Sequence, residues 1–421
     1  MNQYFFALGT NHSLSKIDII NTLLRKGVDF EILEASEEIL IISTSSELSP
    51  ALLINELGSA VKIGKIEKVY LKDENWEDFF DKELGNQKFG FSLYHAGGRY
   101  REIDEIFEKT KKLKKIREKG RILSSVTVDQ SGLLKKPAST STREARRGGG
   151  FELVICVGAK GVYFGKTLAV QDYESYSRRD YGRPSRDAQS GMIPPKLAKM
   201  MINLAGRGKD ELLLDPFCGC GTILQELTLL GYKNIMGADI EDRAVTDSQK
   251  NLDWLFETFK LEKADFKINI FKSDARALSA KISQNSVNAI VTEPYLGSSQ
   301  ARYLSLDQIK KEIQKLEDLY LAVFGEFKKV LKDSGRVVII FPVFRYKAQF
   351  FKLQILDILK NQGYKQAGFL AKKVKGEELL KLQITDRKSI IYFRPGQSVS
   401  REIFVFENTS WRVNYLTKNI T

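Results

Sequence analysis

The stretch "LLLDPFCGCGTILQEL" (residues 212–227) decides the fold of this chain. Three leucines and Asp215 form a short strand pattern, and a turn with Gly219 and Gly221 leads into the helix pattern "TILQEL". A strand that enters a helix through a glycine turn is typical of a doubly wound α/β sheet. The two glycines let the backbone approach a ligand closely where the helix begins. We therefore expect a ligand at the carboxyl end of this strand.

The sequence after this stretch continues to alternate between strands and helices. Strand patterns are found at 234–240, 266–275, 287–295 and 335–344, with a β-rich ending at 389–408. Helix patterns are found at 193–206, 221–232, 242–259, about 305–331 and near 347–362. This alternation predicts an α/β domain with a mostly parallel, doubly wound sheet.

The first 170 residues show a different pattern. Residues 1 to about 70 follow a β-α-β-β-α order, which predicts a small ferredoxin-like α+β unit. A second unit runs from about 88 to 170 and ends in a predicted hairpin, "FELVICVGAKGVYFGKTLAVQ". Residues 171–190 show no clear period and are predicted to be a linker.

The charge of the chain favours a polyanionic partner. The sequence holds 66 Lys and Arg against 53 Asp and Glu, a formal net charge of +13. Basic residues cluster in "KKLKKIREKGR" (111–121), in "RRGGG" (146–150) and in "YSRRDYGRPSR" (176–186). A solvated helix face would explain the first cluster alone, whereas three clusters before one ligand-binding domain favour nucleic acid.

Few residues are available for metal or disulfide chemistry. The chain has two histidines and three cysteines, and none of the cysteines forms a Cys-x-x-Cys pair. We therefore expect no metal, no disulfide framework and a reducing, cytoplasmic location. No apolar run approaches the about 18 residues that span a bilayer. The start "MNQYFFALGT" also lacks the features of a signal peptide, so no membrane partner is expected.

Acids at successive strand ends indicate the kind of ligand. Asp215 ends the first strand, Asp239 lies 18 residues after Gly221, and Asp274 ends the third strand. Asp239 is placed to accept hydrogen bonds from a ribose diol, and Asp274 to accept one from an adenine amine. Leu224 stands where a dinucleotide fingerprint needs glycine, and no Gly-Lys-Ser/Thr follows. The pattern describes an adenosine-bearing cofactor without a strong phosphate cradle, and S-adenosylmethionine fits this description.

The fourth strand, "VNAIV", is followed by Glu293, Pro294 and Tyr295 instead of ordinary turn residues. An exocyclic amine of a base is a poor nucleophile, and oxygen acceptors can aim its lone pair at a methyl donor. Glu293 supplies a carboxylate, the turn at Pro294 fixes neighbouring carbonyls, and Tyr295 offers a flat face for stacking. The turn predicts a site for the amine of a flipped base. The alternative is an ordinary turn that carries a surface acid.

With these motifs the chain resembles the THUMP-domain RNA methyltransferases that methylate guanine N2, and among them the tRNA guanosine-10 enzymes. The resemblance rests on "LLLDPFCGCGTILQEL", on "GADIEDRAVTDSQKNL" and on the stretch from "GKTLAVQDYESYSRRDYGRPSR" to "IPPKLAKMMINLAG". It implies a ferredoxin-like domain at 1–72, a THUMP RNA-binding domain at 73–170, a linker at 171–190 and a Rossmann-like methyltransferase domain at 191–421.

The resemblance also implies roles for individual residues. Glu293, Pro294 and Tyr295 would form the catalytic turn. S-adenosylmethionine would be held by Asp215, Pro216, Gly219, Gly221, Thr222, Asp239, Ile240, Asp274 and Ala275. The tRNA would contact Lys114, Lys115, Arg143, Arg146, Arg147 and Arg183. Whether a small activator protein takes part stays open.

One departure concerns the catalytic motif, which is Asp-Pro-Pro-Tyr in the family. In an alignment without gaps, Glu293 replaces the Asp, Tyr295 the second Pro and Leu296 the Tyr. In the alternative register Thr292 takes the Asp position, and the Pro and Tyr that close the motif are kept. We prefer the first register because it retains a carboxylate.

The first functional interpretation is a tRNA guanine-N2 methyltransferase. The second is an amino-methyltransferase that acts on rRNA or DNA, since the catalytic half alone does not exclude it. The third, from another class, is a catalytically silent RNA-binding or partner-binding protein with the same fold, which the altered motif leaves open. Loss of turnover in Glu293→Gln would distinguish an enzyme from the silent protein.

Overall fold

The computed structural model divides into two compact units. The first unit comprises residues 1–173 and 372–382, and the second comprises residues 174–371 and 383–421. The structure describes residues 1–72, 74–80, 84, 88–117, 150–187, 192–298, 300–393, 397 and 399–409.

The first unit is built on one sheet with helices packed against it. Its strands are β1 Asn2–Leu8, β2 Phe30–Ala35, β3 Ile39–Thr44, β4 Ala60–Leu71, β5 Lys88–Ala96, β6 Gly150–Gly158 and β7 Gly161–Val170. Its helices are α1 His12–Arg25, α2 Pro50–Glu56 and α3 Tyr100–Arg117. The strand order is β2-β3-β1-β4-β7-β6-β5. Strands β1 to β4 are antiparallel neighbours, as a ferredoxin-like unit requires.

The sheet runs without interruption through the predicted domains 1–72 and 73–170. Strand β4 pairs with β7 along most of its length, and β6 forms the predicted hairpin with β7. The fully buried carboxylate of Glu152 accepts hydrogen bonds from Lys62 and Thr167 and so connects β6 with β4 and β7. The predicted boundary at residue 72 therefore does not separate two compact bodies. A THUMP domain at 73–170 stays a prediction.

A segment from the C-terminal half of the chain, residues 372–382, completes the first unit. The carbonyl of Lys375 accepts a hydrogen bond of 3.0 Å from the backbone N–H of Ile32 in β2. The ammonium group of Lys16 in α1 donates to the carbonyl of Leu380. Burial lowers the pKa of Lys16 to about 8. These contacts place the segment in the first unit, although the residues on both sides of it belong to the second.

The second unit carries the sheet predicted from "LLLDPFCGCGTILQEL". Its strands are β8 Leu212–Asp215, β9 Asn234–Asp239, β10 Lys267–Lys272, β11 Val287–Thr292, β12 Leu331–Tyr346, β13 Gln349–Lys352, β14 Tyr364–Gln366, β15 Ile390–Tyr392 and β16 Val399–Asn408. Its helices are α4 Tyr173–Tyr181, α5 Pro195–Ala205, α6 Thr222–Leu229, α7 Asp242–Phe259, α8 Leu306–Val330 and α9 Leu356–Asn361.

The strand order of the second unit is β10-β9-β8-β11-β12-β16-β14, with β13 beside β12 and β15 beside β16. The five strands from β10 to β12 are parallel, and β16 runs antiparallel to β12. The order reverses at β8, and ligands bind at such a reversal in open α/β sheets. The predicted Rossmann-like α/β fold is confirmed.

Aromatic packing holds the long helix α8 against this sheet. The ring of Phe324 meets Phe341 of β12 and Phe406 of β16 edge to face, at centroid distances of 6.3 and 5.5 Å. A capping box of Ser305 and Gln308 satisfies backbone N–H groups where the helix begins. The predicted long helix is therefore confirmed, with its start fixed by the cap and its orientation by the core.

Two predicted elements differ from the structure. The predicted linker 171–190 contains helix α4, whose Arg179 is buried and lies 2.5 Å from the carboxylate of Glu226. Helix α4 is held by this tertiary contact, which leaves no pattern in the local sequence.

The helix predicted near 347–362 is wrong in its first half, because Phe351 and its neighbours pair with the end of β12. Only the short helix α9 remains of it.

Candidate functional site

The carboxyl ends of parallel strands meet at one edge of the second sheet and open into a cleft of about 790 Å³. Asp215 and Asp239 end β8 and β9, Asp274 follows β10, and Glu293 follows β11. All four side chains line this cleft. The structure therefore brings together the four strand-end acids that the sequence singled out, in a cavity of the size that binds small ligands.

Most other predicted cofactor residues also line the cleft, namely Pro216, Gly219, Thr222, Ile240 and Ala275. Gly221 does not, since it faces helix α7. Its φ of 77° is left-handed, and a Cβ there would lie 2.9 Å from Ser248 Oγ. The hydroxyl of Ser248 donates a 2.7 Å hydrogen bond to the carbonyl of Gly219. Gly221 thus lets α7 approach and hold the turn.

The carboxylate of Asp239 is held by two backbone amides. One oxygen accepts a 2.9 Å hydrogen bond from the N–H of Gly219, and the other accepts one of 3.1 Å from Glu241. A carboxylate has about four acceptor positions, so it can accept further donors from a ligand. The neighbouring side chain of Ile240 is 52 % exposed and offers an apolar surface. Asp239 and Ile240 can bind a ribose and the adjoining base.

Asp274 caps the short 3₁₀ helix Ala275–Ala280 through a 2.8 Å hydrogen bond from the backbone N–H of Arg276. The guanidinium of Arg276 also donates to both carboxylate oxygens, with a shortest distance of 2.6 Å. These hydrogen bonds lower the pKa of Asp274, which keeps it ionised and able to accept from an amine. The backbone of Ala275 lies beside it in the cleft wall.

Asp215 differs from the other three acids of the cleft because its side chain is buried. Its side chain is buried and accepts a 2.7 Å hydrogen bond from the hydroxyl of Thr292, which ties β8 to β11. The backbone N–H of Phe217 donates a second one of 3.2 Å. Burial is the largest influence and raises the pKa of Asp215 to about 7. Asp215 therefore changes its charge near neutral pH.

This raised pKa predicts a specific pH dependence of stability. Between pH 4 and 7 the folded state retains a proton on Asp215 that the unfolded state has lost, so stability falls as the pH rises through this window. Asp215→Asn removes this titration, so its free energy of unfolding should not fall in this window. From pH 4 to pH 8 the variant should therefore gain up to about 4 kcal/mol in free energy of unfolding relative to the wild type. Urea unfolding at both pH values measures this difference. Asp210→Asn at an exposed position is the control, and parallel curves for Asp215→Asn and wild type would contradict the prediction.

Glu293 is fixed by an ion pair that the sequence did not indicate. Arg401 of β16 donates to both carboxylate oxygens of Glu293, at 2.5 and 3.2 Å. The two side chains are only 7 % and 12 % exposed. The amide oxygen of Gln397 accepts a further hydrogen bond from Arg401. Because the two partners are 108 residues apart, no motif or spacing could have revealed the pair.

The structure favours Glu293 over Thr292 at the Asp position of the catalytic motif. Thr292 is fully buried and donates its hydroxyl to Asp215, so it is turned away from the cleft that Glu293 lines. Pro294 is buried, and the ring of Tyr295 is 51 % exposed at the cleft. The hydroxyl of Tyr320 donates a 3.2 Å hydrogen bond to the carbonyl of Tyr295, which fixes the backbone of the turn.

Arg183 is not available for the predicted RNA contact. Its side chain is 3 % exposed and donates a 2.6 Å hydrogen bond to the hydroxyl of Thr222, the first residue of α6. A second nitrogen lies 2.7 Å from the sulfur of Met192. Arg183 therefore connects the segment before α5 to the cofactor turn, and the prediction that it binds RNA is wrong.

The side chains of the other five predicted RNA contacts lie outside the part of the chain that the structure describes. Lys114 and Lys115 belong to the last turn and a half of α3, where the structure gives the backbone alone. Arg143, Arg146 and Arg147 lie outside the described residues. These five contacts stay predictions.

Two features of the described residues concern metals and membranes. Within them, no three His, Cys, Asp or Glu side chains are grouped so that they could hold a metal ion. No helix among the same residues is long and apolar enough to cross a membrane.

Two family models match the chain. One, described as an RMKL-like methyltransferase domain, matches residues 183–362 and includes all four strand-end acids of the cleft. The other, described as a DNA methylase, matches residues 37–250 and ends before the turn that carries Glu293. Arg401 lies outside both matches.

Curated relatives share part of the sequence. A tRNA (guanine(10)-N2)-dimethyltransferase of Methanothermobacter thermautotrophicus is 38 % identical over 178 residues, which are 42 % of this chain and 46 % of that protein. The chain thus spans about half the length of this relative. A probable tRNA (guanine(10)-N2)-dimethyltransferase of Methanothermococcus thermolithotrophicus is 30 % identical over 141 residues, 33 % of this chain and 83 % of that protein.

A solved structure extends the likeness to the fold of almost the whole chain. TrmN from Thermus thermophilus superimposes with a TM-score of 0.56 and 15 % identity, over 96 % of this chain and 99 % of that one. Three findings agree on a methyltransferase. They are the fold, the methyltransferase match over the cleft, and the relative that is matched over 83 % of its length. The chain belongs to the family of the tRNA (guanine(10)-N2)-dimethyltransferases.

Proposed function

We propose that this chain transfers methyl groups from S-adenosylmethionine to the N2 amine of a guanosine in tRNA. The observation that carries the proposal is the position of Glu293, whose carboxylate faces the same cleft as the residues suited to an adenosine-bearing cofactor. Membership of the family supports guanine N2 as the amine and tRNA as its carrier, because the two curated relatives are named for that reaction.

The residues of the cleft fit S-adenosylmethionine. Asp239 would accept hydrogen bonds from the ribose hydroxyls, and Asp274 would accept one from the adenine amine, with Ile240 against the base. A Cβ built on Gly219 would meet nothing within 4 Å, so the backbone of the turn leaves room for a ligand. The bound cofactor would supply a methyl carbon that is electrophilic because the neighbouring sulfur is positively charged. The acids of the cleft favour such a cation.

Glu293 would orient the guanine amine and would not remove its proton before the transfer. The two-pronged ion pair with Arg401 fixes the position of the carboxylate, whose oxygens have room to accept further hydrogen bonds. An amine N–H that donates to this carboxylate leaves the nitrogen lone pair directed at the methyl carbon. The exposed ring of Tyr295 would stack on the guanine. The extra proton of the methylated nitrogen then leaves to solvent.

We place the tRNA on the first unit as well as at the cleft. A THUMP domain within residues 73–170 would bind it, with Lys114, Lys115 and the arginines 143, 146 and 147 as phosphate contacts. A tRNA substrate, together with three free and buried cysteines, supports a reducing cytoplasmic location.

A second candidate function has one observation in its favour. The DNA methylase model that matches residues 37–250 favours an exocyclic amine of a DNA base as the acceptor. This match ends before the catalytic turn, so it says little about the base that the turn would hold. The relatives named for tRNA guanine N2 are therefore the stronger guide to the acceptor. The two candidates share the cofactor and the orienting role of Glu293, so only the nucleic acid and the base distinguish them.

Methyl transfer from labelled S-adenosylmethionine tests the proposal. Unmodified tRNA, rRNA and DNA would be incubated with the purified chain and then digested to nucleosides. We expect the label in N2-methylguanosine and N2,N2-dimethylguanosine from tRNA alone. Label in a methylated adenine or cytosine of DNA would establish the second candidate. Cofactor binding without label in any nucleic acid would contradict both and leave the silent RNA-binding protein.

A further inference from the structure

Exposed aromatic side chains of the second unit gather at the edge that carries the cleft. Among the described residues of 174–371 and 383–421, five aromatic side chains are strongly exposed. Tyr181, at the end of α4, is 64 % exposed and lies on another segment. The other four are Tyr295 at 51 %, Tyr303 at 72 %, Phe350 at 61 % and Phe393 at 49 %. Exposed rings are costly in water, so their concentration at one edge requires a reason.

The topology places each ring at the carboxyl edge. Tyr295 and Tyr303 lie in the loop that leaves β11 and precedes α8. This loop packs on the end of β12, since a Cβ on Gly297 would lie 2.8 Å from the ring of Phe344. Phe350 belongs to β13, which forms a hairpin with the last residues of β12 beyond Phe344. The two segments are therefore neighbours at the same edge.

Phe393 reaches this edge directly after β15. It follows Tyr392, which pairs with Arg401 across β15 and β16. Arg401 in turn contacts Glu293 at the cleft. Strand β15 runs parallel to β12, because both are antiparallel to β16, so its carboxyl end points to the same edge. Phe393 therefore follows a strand that ends at the same edge as β12.

Basic side chains lie beside two of these rings. The guanidinium of Arg302 lies 4.7 Å from the ring centre of Tyr303. Arg345 is exposed and is the register partner of Phe350 in the hairpin. Lys347, also exposed, stands at the hairpin turn. Aromatic faces interleaved with cations are the surface on which proteins bind unpaired nucleic acid, because the rings stack on bases and the cations contact phosphates.

We propose that an aromatic rim, formed by Tyr303, Phe350 and Phe393, stacks on the nucleotides that flank the extruded guanosine. The inference rests on the proposed function, since an amine inside a base-paired stem reaches the cleft only if its nucleotide leaves the stack. Extrusion leaves the neighbouring bases without their stacking partner, and an aromatic ring can replace it whatever the base is. The adjacent cations favour a polyanion over an apolar protein surface.

The test compares three proteins by RNA binding in the presence of S-adenosylhomocysteine. The first is the wild type, the second carries Tyr303→Ala, Phe350→Ala and Phe393→Ala, and the third keeps the rings as Tyr303→Phe, Phe350→Tyr and Phe393→Tyr. The probes are an unmodified tRNA transcript and a ten-nucleotide unpaired RNA, followed by fluorescence anisotropy. Ile358→Ala, at a position 45 % exposed on α9, is the control for loss of an exposed apolar side chain.

We expect the alanine variant to bind both RNAs about tenfold or more weakly, while the ring-keeping variant and Ile358→Ala retain wild-type affinity. Circular dichroism and the cofactor Kd show whether each variant is folded. Wild-type affinity in the alanine variant would overturn the proposal, as would equal losses in both triple variants. A wild-type dimer that becomes a monomer in the alanine variant would assign the rim to a second copy of the chain and overturn it too.

The salt dependence distinguishes stacking from simple charge attraction. The alanine variant should lose affinity at every salt concentration with an unchanged slope, because no phosphate contact is removed. Arg302→Gln, Arg345→Gln and Lys347→Gln together should instead reduce the slope by about 2. Failure of the proposed function can be distinguished from failure of the rim proposal. A wild type that binds RNA through the rim but transfers no methyl group contradicts the reaction and leaves the rim supported.

Discussion

Glu293→Gln is expected to lower the turnover of tRNA by about 100-fold to 1,000-fold, with little change in cofactor affinity. The substitution keeps the size of the side chain but removes the charge that holds the guanine amine. Its amide also presents an N–H₂ group where two acceptor oxygens stood, and the guanidinium of Arg401 loses its ionic partner. The expected loss lies in kcat, because orientation of the amine matters most in the transition state.

Single-turnover methyl transfer and calorimetric cofactor binding measure the two quantities separately. Glu407→Gln is a matched control, since Glu407 also lies on a strand of the second sheet and pairs with an arginine, Arg336, at 3.0 Å. It should retain wild-type turnover. Glu293→Asp restores the residue usual in the family but shortens the reach to Arg401, and partial activity is expected. Equal turnover in Glu293→Gln and wild type would remove Glu293 from the mechanism.

Arg401→Met is expected to destabilise the fold by about 3 to 5 kcal/mol and to reduce turnover at the same time. It leaves the carboxylate of Glu293 nearly buried without its cation, so an uncompensated charge destabilises the fold and the carboxylate loses the partner that fixes its orientation. Arg401→Lys keeps the charge but loses the two-pronged geometry, so an intermediate effect is expected.

A double-mutant cycle separates the structural part of this effect from the catalytic part. Removing both charges in Glu293→Gln with Arg401→Met should recover part of the stability lost in Arg401→Met, because no unpaired ion remains. Turnover should not recover. Urea unfolding and single-turnover kinetics report the two outcomes. Additive stability losses would mean that the two side chains do not depend on each other, contrary to the 2.5 Å contact.

The sequence revealed those parts of the site that depend on local patterns. Asp215 and Asp239 end their strands, and Asp274 and Glu293 follow theirs within two residues. Each strand is visible in a short window of sequence, and parallel strands bring their ends to one edge. The glycine turn was visible for the same reason. Gly221 differs from expectation in its role, since it makes room for α7 and does not line the cleft.

Features that depend on distant contacts could not be predicted. Arg401 reaches Glu293 from the antiparallel strand β16. Arg183 is buried and donates a hydrogen bond to Thr222, although an arginine in a basic cluster usually lies at the surface. The pairing of β4 with β7 joined two predicted domains in one sheet across about 100 residues. The hairpin strand β13 looked helical because its aromatic residues suit either state until the end of β12 pairs with them.

The segment 372–382 has a consequence for the synthesis of the protein. The first unit needs it, because Lys375 pairs with Ile32 and the carbonyl of Leu380 receives the buried ammonium of Lys16. The ribosome makes this segment about 200 residues after the rest of the unit, which takes roughly 10 to 40 s at bacterial or eukaryotic speeds. The amino-terminal part therefore waits for its last piece until most of the second unit has emerged. A fragment ending at residue 173 would keep that incomplete state permanently.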